Sequence, residues 1–474
     1  MARVQLLGGS YQARSVIANA QRCVNLYPEF NPQPDQAPVP VTHYQTPGLS
    51  LLATPPTGMG RGIYRSSKGT LFAVIGSNVY IIQANWAFTN IGSIVTSVGP
   101  VNMIDNGLDV ILTDGTAAGW KWSVVDGSSF AAISDPNFFG GIINDYLDSY
   151  FLFVQPQTTN FYSSLSNSTT FDPLYLVARS GFPDPLQGVR VVNRQILLLG
   201  QLTSELWYNA GTPDFPFGEM PGMLVEHGCA APYSIAKQDT SIYFLSSDLQ
   251  GQGIVMKVSE YVAKRISNHA LENAIAGYAS INDAQAYTYQ QLGHTFYVLS
   301  FPSADVTWVY DEATNCWHQW AWSDVNGDLH RHRVGFGAFA FGINVGLDWE
   351  TGKLYSINPT AYYDNSDPIV RIRGFPHIVS DGRRLYHRRF IADVAVGANP
   401  FNVNTNLTLR WSNTRGSSWA NPISSNLGAT GDYIKSVQFQ RLGMARDRVY
   451  ELSWSAPVDT ALNGAWLEYE RAAA

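Results

Sequence analysis

The 474-residue chain has few charged residues, only three cysteines and no long apolar run. Charged residues make up 14% of the chain, against about 25% in a typical soluble protein. Helix-rich proteins usually carry more Glu and Lys, so this composition argues against a helical fold. The net charge of −7 excludes the global positive field of a free-standing DNA-binding protein. Any contact with nucleic acid must therefore be local.

The cysteines and the apolar segments exclude several further classes. Cys23, Cys229 and Cys316 form neither a C-x-x-C motif nor a metal-binding spacing, so we expect three reduced, buried thiols. No apolar run approaches the roughly 18 residues of a membrane-spanning helix, and none near the start is long enough for a signal peptide. We therefore expect the chain to fold in a cytoplasm-like compartment. The sequence also lacks the motifs of zinc proteases, P-loop enzymes, serine hydrolases and dinucleotide-binding proteins, so no cofactor is predicted.

What the chain does contain is a repeated hairpin. Its clearest form is segment 293–322, which predicts strands at 295–301, 306–310 and 316–322 with Pro, Ser, Asp and Asn in the turns. Weaker copies of the first hairpin occur along the chain, each with an aromatic or apolar residue near its end. These residues recur at spacings of 40 to 53, and they are Tyr80, Trp120, Phe161, Trp207, Met256, Val309 and Tyr355.

This spacing predicts an all-β fold with a β-propeller of about seven blades, with six as the alternative, because four-stranded blades recur at roughly 40 to 50 residues. We divide the chain into an extended arm and lead-in strand (1–60), the propeller (61–365) and a C-terminal β-sandwich of jelly-roll type (366–474). A short helical insert is predicted at 259–276. It has one helix capped by Ser259 and a second capped by Ser267 or Asn268.

One local concentration of positive charge occurs in the predicted sandwich. Its arginines, which lie near His377 and His387, are Arg371, Arg373, Arg383, Arg384, Arg388 and Arg389. Guanidinium groups bind carboxylates or phosphates in bidentate fashion, so these arginines are candidates for a contact with a neighbouring subunit or with DNA. The alternative is a solvated strand edge guarded by positive charge.

Two other patterns have structural explanations. Segments 126–130 and 412–419 are similar to the Asp-box turn S-x-D-x-G-x-T-W of sialidase-like propellers, although the second has Thr414 at the acidic position. That box is a structural turn, so it predicts hairpins and not an active site. His330 and His332 follow the turn signal at 326–328, which favours a solvated hairpin tip over a metal site. No metal site is predicted.

A set of segments spread over nearly the whole chain carries a family resemblance. They are 24–28, 46–49, 61–64, 266–270, 293–322 and 446–452. At these spacings they resemble the tail hub proteins of short-tailed phages, also called tail accessory factors or packaged-DNA stabilisation proteins.

The resemblance implies a structural virion protein without enzyme activity. It implies a homohexameric ring below the portal and its adaptor that closes the DNA exit channel and retains packaged DNA. The ring would also anchor the needle or plug and the receptor-binding spikes or fibres. It would be located in the virion tail after assembly in the host cytoplasm, with packaged DNA as a further candidate contact in its lumen.

Two other functions stay open from the sequence. One is a carbohydrate-binding or glycoside-cleaving propeller, suggested by the Asp-box-like turns and the 13 tryptophans. It requires two carboxylates about 5 to 9.5 Å apart in a pocket. The other is a cytoplasmic propeller that serves as an interaction platform.

Overall fold

The computed structural model describes residues 2–15, 17–33, 39–123, 129–179, 181–248, 250–396, 406–428 and 436–471. In these ranges nearly all regular structure is β-strand. The helical elements among them are one α-helix, His269–Ile275, and one turn of 3₁₀ helix, Pro232–Ser234. Neither is long and apolar enough to cross a membrane. The prediction of an all-β chain is therefore confirmed.

Seven four-stranded blades form a closed ring in the described part of the chain. Blades one to five are separate antiparallel sheets, and blades six and seven are the four-stranded parts of two larger sheets. Neighbouring blades contact one another in turn, and the innermost strand of blade seven contacts that of blade one. The predicted β-propeller is confirmed.

The blades follow one another along the sequence. From the innermost strand outward, blade one consists of Gly60–Arg65, Leu71–Ile75, Asn78–Ile82 and Phe88–Ser93, and blade two of Asn102–Asp105, Asp109–Thr113, Gly119–Ser123 and Ser129–Ala132. Blade three consists of Asp145–Leu147, Tyr150–Val154, Asn160–Ser164 and Phe171–Ala178, and blade four of Leu186–Val192, Gln195–Gly200, Ser204–Asn209 and Phe217–Val225. Blade five consists of Ala236–Gln238, Ser241–Ser247, Gly253–Ser259 and Val262–Arg265, and blade six of Gln285–Gln291, His294–Phe301, Val306–Asp311 and Cys316–Gln319. Blade seven consists of Val334–Ala340, Ile343–Asp348, Leu354–Asn358 and Gly48–Ala53.

The residues that marked the repeat in the sequence occupy equivalent places. All seven, from Tyr80 to Tyr355, lie in the third strand of their blades and are buried. This strand has a neighbour on each side, and its large side chains pack into the apolar cores between adjacent blades. A large apolar side chain is therefore needed once per blade, which is why the spacing followed the true repeat.

Blade seven takes its outermost strand from the N-terminal part of the chain. Gly48–Ala53 pairs antiparallel with Leu354–Asn358 and so closes the ring with strands from both ends of the propeller sequence. Gly48 is required there because a Cβ at this position would lie 2.5 Å from the carbonyl oxygen of Ala361. The predicted lead-in strand is thus part of a blade.

Two further sheets pack face to face as a β-sandwich, around a core that includes Phe390, Phe439, Tyr450 and Leu462. The first sheet contains Leu26–Phe30, Val41–Gln45, Thr460–Arg471, Leu385–Val396 and Val437–Gln440, flanked by Ala2–Gln5 and Met444–Ala445. The second contains Cys23–Val24, Arg371–Gly374, Asp447–Trp454, Asn406–Ser412 and Ile423–Asn426, flanked by Ile378–Val379. The jelly-roll type of connection stays a prediction.

The second sheet of the sandwich is continuous with blade six. Gln319 of the blade pairs in parallel with Val24, and Val24 pairs with Ile372. Segment 1–60, predicted as an arm, therefore supplies strands to both sheets and to blade seven. Three short strand pairs complete the fold, namely Tyr11–Gln12 with Ala20–Gln21, Ala321–Ser323 with Leu329–Arg331, and Tyr363–Asp364 with Asp367–Pro368.

The helical insert at 259–276 is only partly correct. Asn268 caps the helix His269–Ile275 by accepting a hydrogen bond from the N–H of Leu271 at 3.0 Å. The first predicted helix is wrong, because Val262–Arg265 is the outermost strand of blade five and pairs with Gly253–Ser259. Pairing inside the blade overrides the weak helical pattern of this segment.

Candidate interaction surfaces

Two of the six predicted arginines lie in the interior. Arg371 and Arg373 are fully buried because their strand lies in the middle of the second sandwich sheet. The guanidinium of Arg373 donates to the carbonyls of Gly8 at 2.9 Å and Gly9 at 2.8 Å, which fastens the N-terminal segment to the sandwich. Arg371 donates to the carbonyl of Ala456 at 3.1 Å. The six arginines therefore do not form one surface patch.

The other four arginines are at or near the surface. Arg388 pairs with Glu470, and the half-buried Arg389 donates twice to the carboxylate of Glu468, at 2.9 Å each. Arg383 and Arg384 are exposed. Their side chains contact no acceptor among the residues that the structure describes. These two remain as candidates for contact with an acidic partner.

The histidine pair has a different place from the one predicted. The hairpin tip comprises residues 324–328, whereas His330 lies in a strand with its Nδ1 2.6 Å from a carboxylate oxygen of Asp305. His332 is fully buried and stacks on Trp320 at a ring distance of 3.7 Å. The prediction of a solvated tip is therefore wrong for His332. In the described ranges, no group of three His, Cys, Asp or Glu residues could hold a metal ion.

The second Asp-box-like segment, 412–419, forms a turn after strand Asn406–Ser412. Ser412 Oγ accepts hydrogen bonds from the N–H groups of Thr414 at 3.2 Å and Gly416 at 2.8 Å. Residues 124–128 lie outside the described ranges, so the first such segment is described only from Ser129 onward.

Asn25 joins the N-terminal segment to the propeller and the sandwich. It is fully buried in a left-handed conformation, with φ at +55°. Its N–H donates to the carbonyl of Gln319 at 2.9 Å, and its carbonyl accepts from the N–H of Thr46 at 3.1 Å. The side chain accepts from the N–H of Ala321 and donates to the carbonyls of Ala321 and Val370, at 2.8 Å each. All its polar groups are thus satisfied where the N-terminal segment meets blade six and the second sandwich sheet.

Arg61 fixes a surface loop between blades one and two. Its buried guanidinium donates to the carbonyls of Gly99 at 2.6 Å and of Thr96 and Val98 at 2.8 Å. The loop held in this way exposes Val95 and Val98, whose relative exposures are 87% and 67%. The loop is therefore fixed by hydrogen bonds to Arg61, and the apolar side chains of Val95 and Val98 face solvent.

A second apolar surface lies on one end of blades six, seven and one, and we call it the apolar turn patch. Its members are Trp86, Leu292, Phe339 and Phe341. Leu292 and Phe341 are in the first turns of blades six and seven, and Trp86 meets Phe341 edge-on at a ring distance of 5.4 Å. Leu292 and Phe339 are 72% and 59% exposed.

The backbone makes these turn residues unusual. Leu292 and Phe341 have φ at +50° and Trp86 at +67°, whereas the equivalent first turns of blades three, four and five begin with Asp, Asn and Asp. Asn, Asp and Gly tolerate this region, but other side chains cost roughly 1 to 2 kcal/mol there. Large apolar residues at these positions therefore do not stabilise the turns themselves.

Several buried histidines have shifted pKa values. His294 is 2.8 Å from the Asp311 carboxylate and 3.6 Å from that of Glu29, and the hydrogen bond to Asp311 raises its pKa. Burial acts in the opposite direction elsewhere. It lowers the pKa of His318 to about 4 and those of His332 and His387 to about 3.

The ring encloses a cavity of about 420 Å³ with two carboxylates in its lining. Asp105 accepts from the N–H of Ser67 at 3.1 Å, and Asp145 accepts from the N–H of Val191 in the next blade at 2.8 Å. Arg190 donates to a backbone carbonyl of blade three's lead-in segment at 2.6 Å. These charged groups therefore hold neighbouring blades together, which is a structural role.

A family model described as Phage_stabilise, "Bacteriophage P22 Gp10, beta-propeller", matches residues 2–360. The chain belongs to this family. The resemblance to phage tail hub and DNA stabilisation proteins is thereby confirmed. As a member of the phage stabilisation family, the chain is a structural protein of the virion tail.

This phage stabilisation protein has only low similarity to the proteins of known structure described next. No curated protein matches the chain. Among solved structures, virginiamycin B lyase from Staphylococcus aureus is 10% identical, with 65% of this chain and 98% of that chain covered and a TM-score of 0.45. A chain of the mitotic checkpoint complex is 11% identical, with 66% and 93% covered and a TM-score of 0.43. At these TM-scores, neither similarity bears on function.

Proposed function

We propose that the chain is a tail hub subunit that assembles into a homohexameric ring below the portal adaptor. The ring closes the DNA exit channel, retains packaged DNA and anchors the needle or plug and the spikes or fibres. It assembles in the host cytoplasm and has no enzyme activity. Family membership supports the place in the tail, and the observation that carries the ring is the exposure of large apolar side chains at strained turns.

The apolar turn patch is our candidate for the contact with the neighbouring copy. Subunit interfaces that never dissociate are more apolar than the rest of a protein surface, and they bury roughly 2,000 Å² or more. A ring of identical copies needs a heterologous contact, in which one surface of the chain meets a different surface of the next copy. The loop that carries Val95 and Val98 is our candidate for that second surface.

We also propose a division into domains and a site of charged contact. Residues 61–365 and 366–474 form the two domains, and segment 1–60 contributes strands to both. Arg383 and Arg384 are exposed on the sandwich, and they would contact an acidic neighbour or packaged DNA. The ion pairs of Arg388 and Arg389 leave those two side chains less available for such a contact.

Native mass spectrometry and electron microscopy of the purified full chain, alone and with the adaptor, test the ring. We expect six copies arranged around a central opening. A chain that stays monomeric with the adaptor present would contradict the proposal. If such a monomer also retained oligosaccharide on a glycan array, the carbohydrate-binding alternative would replace it.

Replacing the strained apolar residues should change stability and assembly in opposite directions. Leu292→Asn and Phe341→Asn place a residue that favours φ above zero at each turn, so each should raise the free energy of unfolding of a single copy by up to about 1 kcal/mol. Each should also weaken ring assembly at least tenfold, because the apolar contact is lost. Urea unfolding and sedimentation velocity measure the two effects.

Leu174→Asn is the matched control for these variants. Leu174 is 68% exposed on the outermost strand of blade three and has an ordinary backbone conformation. It should leave ring assembly unchanged. Equal assembly of all three variants and the parent chain would exclude the apolar turn patch from the subunit interface.

A further inference from the structure

A cavity of about 430 Å³ lies between the N-terminal strand pair, Tyr11–Gln12 with Ala20–Gln21, and the turn at 412–419. Arg22 lines it from the N-terminal side, and Arg410, Arg415, Trp419 and Glu451 line it from the sandwich. The two ends of the chain thus build one concave site. Its volume lies within the range of small-molecule pockets, about 300 to 1,000 Å³.

The charges inside this cavity do not balance. Arg410 donates through Nε to a carboxylate oxygen of Glu451 at 2.7 Å and lies over the ring of Trp419 at 4.5 Å, so Glu451 already has a cationic partner. The only acceptor for the Arg22 side chain in the described ranges is the amide oxygen of Gln319, 3.3 Å from Nε. The two terminal nitrogens of Arg22 have no acceptor there.

Partial burial adds a cost to this imbalance. Arg22 is half-buried, and desolvation lowers its pKa, with Glu451 acting to raise it and Arg410 to lower it further. A half-buried cation that lacks a counter-ion loses part of its hydration without a compensating ion pair. One carboxylate between the two guanidinium groups of Arg22 and Arg410 leaves one positive charge without a carboxylate partner in the cavity.

Arg415 adds a third guanidinium at the mouth of the cavity. Its backbone is left-handed, with φ at +56°, and its side chain is 59% exposed. Its Nε donates to Asp447 at 2.8 Å, and that carboxylate also contacts His377. The hydrogen bonds to Ser412 Oγ described above hold the turn that projects Arg415 in this direction.

We propose that this cavity is a binding site for an oxyanion, the carboxylate or phosphate group of a small acid or of a partner side chain. The terminal nitrogens of Arg22 bind the anion inside the cavity, and Arg415 contacts it from the rim. Guanidinium groups present planar pairs of donors that match both oxyanions, and such charge-assisted hydrogen bonds are stronger than neutral ones.

The test is an isothermal titration of the full chain with sodium phosphate and, separately, with sodium succinate, at constant ionic strength set by sodium chloride. We expect saturable binding of at least one probe. Arg22→Gln should weaken it at least tenfold, and Arg415→Gln at least threefold. Arg194→Gln is the control, because Arg194 is an exposed arginine that pairs with Asp148 on the propeller.

The outcomes separate the sources of the anion and keep the proposal testable. Binding of phosphate alone identifies a phosphate site, and binding of succinate alone a carboxylate site. Heat no greater than that of chloride, or equal affinities in the parent, Arg22→Gln and Arg415→Gln proteins, would overturn the proposal. If Arg22→Gln fails to fold, as judged by circular dichroism, the exposed Arg415 carries the test. Binding is measured per copy, so its failure leaves the ring proposal untouched.

Discussion

Asn25→Ala should lower the free energy of unfolding by about 4 kcal/mol. The substitution removes three side-chain hydrogen bonds in a fully buried position, each worth about 1 kcal/mol net. It also places a residue with a Cβ, but without the local hydrogen bonding of Asn, at φ +55°, which costs about 1 kcal/mol more. Urea unfolding followed by tryptophan fluorescence measures the change.

A second substitution separates the backbone from the side chain. Asn25→Gly removes the same three hydrogen bonds but tolerates the left-handed conformation, so it should cost about 3 kcal/mol. Asn365 provides the matched control, because it has φ at +64° with an exposed side chain. Asn365→Ala should cost only about 1 kcal/mol and Asn365→Gly almost nothing. A cost for Asn25→Ala no larger than that for Asn365→Ala would mean that the junction does not depend on these bonds.

The sequence predicted the ring because its signal is local and repeated. Each blade needs a large apolar residue in its third strand, and Trp120 and Phe161 are typical examples. The hairpins that carry these residues pair with their sequence neighbours, so alternation and turn residues are sufficient to reveal them. Closure by Gly48–Ala53 has no such local signal, because its partner strand lies about 300 residues later in the chain.

The same limit explains why strands in segment 1–60 and in blade five were not predicted. Strands such as Ala2–Gln5 and Val41–Gln45 are ordered by pairing with Thr460–Arg471, and nothing in their own pattern indicates that partner. Segment 262–265 has a weak helical pattern, yet it pairs with Gly253–Ser259 inside blade five. In each case tertiary pairing decides over local preference.

The candidate sites were predictable only in part. The number of arginines in segment 371–389 predicts a charged surface there, but the sequence does not indicate that Arg371 and Arg373 face the interior. Arg22 and Arg415 lie far apart in sequence, and only the fold brings them to one cavity. Asn25 and Arg61 both lie within segments that carried the family resemblance. Both side chains are buried and hydrogen-bonded, so these two residues have structural roles in the fold.

Lowering the pH from 6.5 to 5 should lower the free energy of unfolding by about 6 kcal/mol. Burial lowers the pKa of His318 to about 4, those of His332 and His387 to about 3, and that of His43 well below its usual value, whereas an unfolded histidine titrates near 6.5. Each of these groups therefore contributes stability that is complete above pH 6.5. That stability is lost as the pH falls toward the pKa of the folded state, because only the unfolded chain takes up the proton.

The size of the loss follows from the width of this pH window. A change of 1.5 pH units corresponds to about 2 kcal/mol for each of the four histidines. Asp364 acts in the opposite direction, because burial raises its pKa to about 7 and its carboxyl group is neutral in the folded chain below that pH. It returns about 2 kcal/mol over the same window. His294 and His330 have raised pKa values, so their contributions are already complete below pH 6.5.

His318→Phe isolates one of these contributions. The phenylalanine ring keeps the contacts with Tyr27 and Phe296 but does not titrate, so the loss between pH 6.5 and 5 should shrink by about 2 kcal/mol. His269→Gln is the control, because the His269 side chain is 89% exposed, and it should leave the pH dependence unchanged. Urea unfolding at both pH values and constant salt gives the two free energies. A parent-like pH dependence in His318→Phe would show that His318 does not stay neutral in the folded chain at pH 5.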